Sequence, residues 1–252
     1  MEDYQVMSDE SQSRVEKYLS NLGSKVSHYQ PLVERKFSDL GGRSISLGEI
    51  SVKDMDYLTK EFIEYMYRKT LEDTAKEKGS AEELGSVNFL ERGIVWFVQK
   101  VARRGAWSNI VNGNIERGDL FWLNNTLYAS YKRAFNSKDS SEAQMHFDAV
   151  HELCHGIWVG LGGENPFEVN INEKERIRRL YVESAEAFAS YGELVFCKEL
   201  YPKDVCLQAE KFPKIPPEEG LDKRGLKIEQ LVAVNGDRVL LDIPRNWRSL
   251  LK

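Results

Sequence analysis

His151-Glu152-Leu153-Cys154-His155 reads H-E-x-x-H. On a helix, residues 151 and 155 stand one turn apart on the same face, where two imidazoles can share a metal ion. Glu152 then lies beside the ion, placed to take a proton from water that the metal activates. The surrounding residues predict that helix. Asp139-Ser140-Ser141-Glu142 offers a capping-box start with Asp139 as N-cap. Met145, Phe147, Ala149, Val150, Leu153, Cys154 and Ile157 supply the apolar positions, and Gly160, Gly162 and Gly163 supply the stop. Histidine is scarce, with His28, His146, His151 and His155 the full set of 4, so the pairing carries weight.

Upstream, Val15, Tyr18, Leu19 and Leu22 predict a helix over 11–22 stopped by Gly23. Pro31 opens a second, short helix to Leu40, and Gly41-Gly42 break it. Residues 1–10 are expected to be frayed. Ser51-Val52-Lys53-Asp54 reads as the cap of an amphipathic helix through Met55, Leu58, Phe62 and Met66 to about Lys78. Phe89 to Arg104 reads as a buried helix, and Trp107 to Val111 and Asp119 to Tyr128 as short strands. Downstream, Glu164 to Asn172 is a loop and Glu173 to Leu200 a long helix; Pro202, Pro213, Pro216 and Pro217 mark irregular chain. Leu231 to Val234, Asn235-Gly236 and Arg238 to Ile243 read as a β-hairpin. We expect a metal-binding domain over residues 81–252 behind a helical extension or subdomain over residues 1–80.

The formal net charge of −5 does not suggest nucleic acid or an anionic membrane as partner. The basic clusters Arg103-Arg104 and Arg176 to Arg179 read as solvated helix faces. No apolar run approaches the roughly 18 residues of a membrane span, and acidic Met1 to Glu10 does not resemble a signal peptide. Cys154, Cys197 and Cys206 are too few and too irregular for a disulfide framework, although a Cys197–Cys206 bridge is open. The expected compartment is the reducing cytoplasm.

A catalytic zinc takes three protein ligands and leaves one position open. No third histidine follows His155, so a carboxylate must complete the set. Glu183 and Glu186, three apart in a stretch of small residues, are the candidates.

Two histidines on one helix and a glutamate on the next form a pattern that resembles the gluzincin metallopeptidases. Ala185-Glu186-Ala187-Phe188-Ala189 is similar to the glutamate signature of the anthrax lethal factor type of catalytic domain. Glu186 to Gly192 is similar to the corresponding stretch of the ImmA/IrrE-type regulatory peptidases. The resemblance covers about Leu120 to Leu200. It places the ligand on Glu186, 31 positions after His155 (186 minus 155), with Glu183 as the alternative. It implies an α+β, zincin-like fold, mostly helical, with a small mixed or antiparallel sheet beside the motif helix. In those families a strand like Phe121-Trp122-Leu123-Asn124 pairs with an extended peptide substrate.

The implied activity is zinc-dependent peptide hydrolysis with Glu152 as general base and Tyr181 as oxyanion donor; Tyr191 and His146 are its rivals. The expected partner is a protein or peptide substrate. Two positions depart from the pattern. Ser190 stands four places after Glu186, where many gluzincins carry a group that orients a histidine. Cys154 replaces a small or apolar residue, and a buried apolar role is expected for it. The competing reading is a zinc-binding regulatory protein of zincin fold with little peptidase activity.

Overall fold

The structure, a computed structural model, describes residues 8–55, 57, 120–123, 125–164, 175–209 and 221–251. The remainder of the helix expected to Lys78, the helix over Phe89 to Arg104 and the strand Trp107 to Val111 lie outside the described residues. So do residues 1–7 of the stretch 1–10 expected to be frayed, the expected boundary near residue 80, Arg103-Arg104, Asn124, the loop beyond Glu164, Pro213, Pro216 and Pro217; Ser8 to Glu10 are instead the cap and first residues of a helix.

Helix α1, Asp9–Gly41, is capped by Ser8, whose hydroxyl accepts from the Ser11 amide. It runs straight through Gly23 and Pro31, so the two short helices expected here are one. The reason is packing. Val15, Tyr18, Leu22, Val26, Tyr29, Val33 and Phe37 recur at steps of three and four and are all buried. That uninterrupted stripe outweighs the hydrogen bond lost at Pro31. The helix ends where expected, with Gly42 in the left-handed region at φ 61°. The chain then returns along α1: the Ile45 amide donates to Ser38 Oγ (2.8 Å) and the Leu47 amide to Glu34 Oε1 (2.8 Å).

Ser51–Asp54 is strand β1, not a helix cap. It pairs in parallel with β3, Thr126–Ala129, which pairs antiparallel with β2, Leu120–Leu123. The expected strand Asp119 to Tyr128 is thus a tight hairpin, turning at Asn125 with φ 57°. The sheet order is β1-β3-β2. Residues 51–54 find their partners about 75 positions downstream, as in Ser51 with Thr126 (126 minus 51), a pairing no local pattern can reveal.

The motif helix α2, Glu142–Gly160, is capped by Ser141, not Asp139: Ser141 Oγ accepts from the Gln144 amide at 3.2 Å. It is buried on nearly every side. Helix α1 covers one flank, β2 another, and α3, Glu175–Tyr191, a third. Trp122 of β2 lies so close to Gly156 that a Cβ there would stand 2.6 Å from the indole. The fold is therefore α+β and mostly helical, with its small mixed sheet beside the motif helix. The described part of the expected N-terminal unit shares one apolar core with α2 and α3.

Beyond α3 come a π turn, Gly192–Phe196, and a 3-10 turn, Lys198–Leu200, in place of the expected continuous helix to Leu200. Helices α4 (Lys203–Ala209), α5 (Leu221–Asn235) and α6 (Ile243–Leu250) follow. The β-hairpin expected over Leu231 to Ile243 is absent: Leu231 to Asn235 end α5, and Asp237–Leu241 is a 3-10 turn. Asn235-Gly236 is a helix stop, with Gly236 at φ 72°. An Asn-Gly pair serves either purpose, and the packing of α5 on α3 decides for the helix. No helix among the described residues is long and apolar enough to cross a membrane.

Two polar clusters fix α2. Arg133, on the 3-10 turn Tyr131–Ala134, pairs with Asp148 and donates to Tyr18 Oη (3.0 Å), while Gln144 donates to Asp148 Oδ1 (2.9 Å). On the α1 flank, Tyr29 Oη and His146 Nδ1 are 2.6 Å apart, and His146 Nε2 is 3.5 Å from Glu142 Oε1. Burial pushes the Tyr29 hydroxyl up to about 12, so it stays protonated and donates to His146. Burial, with Lys25 beside it, holds His146 below the ordinary histidine range.

A histidine harder to protonate when folded than when unfolded gives the unfolded state more bound protons in the window between its two pKa values. Stability is therefore full above the ordinary histidine pKa and falls as pH drops through it. We expect the melting temperature to decline less steeply from about pH 7 to about pH 5 in His146→Gln than in wild type. Thermal melts across that range check this, and superimposable slopes would contradict it.

Candidate metal centre

The side chains of His151, His155 and Glu186 converge, with one donor atom from each inside a 4.8 Å set. The helical step from 151 to 155 sets the two imidazoles edge to face, ring centroids 4.9 Å apart. Helix α3 brings the carboxylate. Ala185, Ala187, Ala189, Ser184 and Ser190 are buried, and their small side chains let α3 lie close to α2. Glu186 Oε2 is 3.2 Å from His151 Nε2, and Oε1 is 3.5 Å from His155 Nε2. Burial disfavours the Glu186 carboxylate, but the two histidines outweigh it and hold the group well below the usual carboxylate range. The Glu186 side chain is 42% exposed, so the set opens to solvent on that side.

Glu152 is buried beside this set, and its Oε2 has no hydrogen-bond partner among the described residues. Burial raises its pKa, and His155 and His151 only partly offset that. A buried carboxylate oxygen without a partner is costly unless something polar meets it. Two imidazoles, one carboxylate and an unmet carboxylate oxygen fit a zinc ion with a water molecule beside it.

Sequence reasoning missed Glu193. It sits in the π turn after α3, and its Oε2 lies 2.9 Å from His151 Nδ1. The π turn closes through the Cys197 amide, which donates to the Gly192 carbonyl five residues back at 2.8 Å. Gly192 packs directly on the motif helix: a Cβ there would stand 2.6 Å from Cys154 Sγ. Seven positions separate Glu186 from Glu193 (193 minus 186), close to two helical turns, and that spacing was the available signal.

The other candidates go elsewhere. Glu183 turns toward Arg224 of α5, Oε2 to Nε 3.7 Å. The Tyr181 hydroxyl, buried between Trp158 and Trp247, donates to the Glu164 carbonyl at 2.8 Å. Glu164 is itself held by Trp247 Nε1 (2.9 Å) and Arg248 (2.8 Å), so Tyr181 belongs to the latch that ties α6 to the end of α2. Burial raises the Tyr191 pKa, and the charges that reach it, Asp237 and Glu229, lie in the C-terminal elements. His146 is engaged with Tyr29. Asp148 is held by Arg133 and Gln144. Cys154 is fully buried, and its thiol is pushed up first by Cys197 and then by burial. All three cysteines are free; Cys206 donates to the Lys198 carbonyl rather than bridging to Cys197.

No family model, curated protein or solved structure matches this chain.

Proposed function

We propose that this chain is a zinc-dependent metallopeptidase of the gluzincin type, acting on a protein or peptide substrate in the cytoplasm. The observation that carries the reading is the convergence of His151, His155 and Glu186 beside a buried Glu152 with an unmet oxygen. His151 and His155 offer nitrogen, Glu186 offers oxygen, and this donor set suits zinc. When bound, zinc supplies Lewis-acid polarisation of a carbonyl and lowers the pKa of water to about 7.

The chain's own residues supply the proton chemistry. Glu152 takes the proton of the attacking water on its free oxygen and delivers it to the leaving amine. Its burial suits this work, because a carboxyl with a raised pKa holds a proton for long enough to pass it on. Glu186, on the open side, completes the ligand set while leaving an approach for the scissile carbonyl. Among the described residues β2 is an edge strand lying against α2, which supports docking of an extended peptide beside the motif helix.

Metal analysis of the purified chain with a peptide-library assay tests the reading. We expect about one zinc per chain, as a single three-ligand site requires. Cleavage should be lost on chelation and restored by added zinc. Zinc bound without cleavage of any peptide would favour the regulatory-protein reading instead, and a chain that takes up no metal would overturn both.

A further inference from the structure

The reading above leaves one part of the centre unassigned: the group that decides which nitrogen of His151 faces the metal. We propose that Glu193, delivered by the π turn, is the positioning residue for His151. The assignment rests on the metallopeptidase reading and extends it to a residue outside the motif and outside the ligand set.

The geometry brackets the imidazole. Nε2 faces Glu186, whose side chain is 42% exposed, and Nδ1 faces Glu193, whose side chain is 11% exposed. An ionised carboxylate only accepts hydrogen bonds, so Nδ1 carries the proton and donates to Glu193 Oε2 at 2.9 Å. An imidazole that binds a metal is neutral and has one proton to give. With it on Nδ1, the lone pair is on Nε2, pointing into the ligand set. Without Glu193 the ring would be free to rotate and to exchange tautomers, and each alternative withdraws a donor from the metal.

The backbone explains why the carboxylate comes from position 193. Ser190, four places after Glu186, carries no carboxylate, and it lies on the regular part of α3. One turn later the helix widens, and Gly192 lets the wide turn press against Cys154, three positions beyond His151 (154 minus 151). The π turn thus seats Glu193 at the inner side of the motif helix, within reach of Nδ1. Such turns are rare and concentrate at functional sites, because they cost regular hydrogen bonding and persist where they place a side chain.

The test compares wild type with Glu193→Ala and Glu193→Gln. Zinc affinity is measured by competition with a chromophoric chelator, and the hydrogen bond of the His151 Nδ1–H in the zinc-loaded chain by NMR of the imidazole nitrogens and their protons. We expect Glu193→Ala to weaken zinc by about 10- to 100-fold, the range found for partners of this kind. Glu193→Gln, which keeps an acceptor but not the charge, should recover part of that loss. The downfield, exchange-protected Nδ1–H signal of His151 should be present in wild type, retained in Glu193→Gln and lost in Glu193→Ala at saturating zinc. Melting temperatures separate this from a merely structural role, which would move stability without moving the Nδ1–H signal or the zinc affinity. Wild-type zinc binding that neither substitution alters would sink the assignment alone. A wild-type chain that takes up no zinc would sink the metallopeptidase reading and the assignment with it.

Discussion

Glu152→Gln should keep zinc and lose peptide hydrolysis, with kcat falling about 10²- to 10⁴-fold, the usual worth of a general base. The replacement matches the side chain in size and leaves His151, His155 and Glu186 untouched, so metal content should stay at the wild-type level. What disappears is the ability to hold a proton. An amide cannot take one from water and cannot hand one to the departing amine. KM should change little, because substrate contacts are retained. The same substitution should leave the fold as stable as wild type or slightly more so. Burial penalises the Glu152 carboxylate, and its Oε2 has no partner among the described residues. A neutral amide relieves the cost of an unpaired buried charge. Zinc content, kcat and thermal melts together check the prediction. Hydrolysis that survives in Glu152→Gln would remove Glu152 from the mechanism.

This opposition between stability and chemistry explains what could be read from the bare sequence. The motif helix was legible because its signals are local: a capping residue before it, an apolar pattern along it and glycines after it. Even so, the cap slid from Asp139 to Ser141, since both precede an acidic first turn. Where the deciding contact is distant, local signals misled. Gly23 and Pro31 read as breaks, yet the buried stripe from Val15 to Phe37 carries α1 through both. Ser51 to Asp54 has the composition of a cap but finds a strand partner in Thr126 to Ala129. Asn235-Gly236 has the composition of a hairpin turn but closes a helix that packs on α3.

The centre divides in the same way. His151, Glu152 and His155 lie within one helical turn and were visible at once. Glu186 needed the small-residue stripe of α3 to be noticed. Glu193 stays hidden because its partner, His151, lies 42 positions upstream, and nothing local marks that contact. Tyr181 was misplaced for a different reason. Its nearness to Glu186 in sequence is real, but its hydroxyl is drawn to the Glu164 carbonyl by the α6 latch.

Glu186→Ala and Glu183→Ala should separate the two glutamates of α3 cleanly. They are three positions apart (186 minus 183), and helical geometry alone lets either turn toward α2. In the fold they part. Glu186 stands 3.2 Å from His151 and 3.5 Å from His155, and Glu183 reaches the other way, to Arg224. Apparent zinc affinities of about 10–16 kcal/mol in four-ligand structural sites assign each ligand on the order of 3 kcal/mol, or roughly 10²-fold in affinity. Glu186→Ala should therefore lose stoichiometric zinc at micromolar protein, and hydrolysis with it. The metal-free variant should still fold, since the apolar core that joins α2 to α3 does not include Glu186. Glu183→Ala should bind zinc as wild type does. Its loss should appear as about 1–3 kcal/mol of stability from the contact between α3 and α5, between an exposed and a fully buried ion pair, because the Arg224 and Glu183 side chains are only 20% and 16% exposed. Chelator competition and denaturant melts on the two variants read both effects, and zinc lost in Glu183→Ala but kept in Glu186→Ala would reverse the ligand assignment.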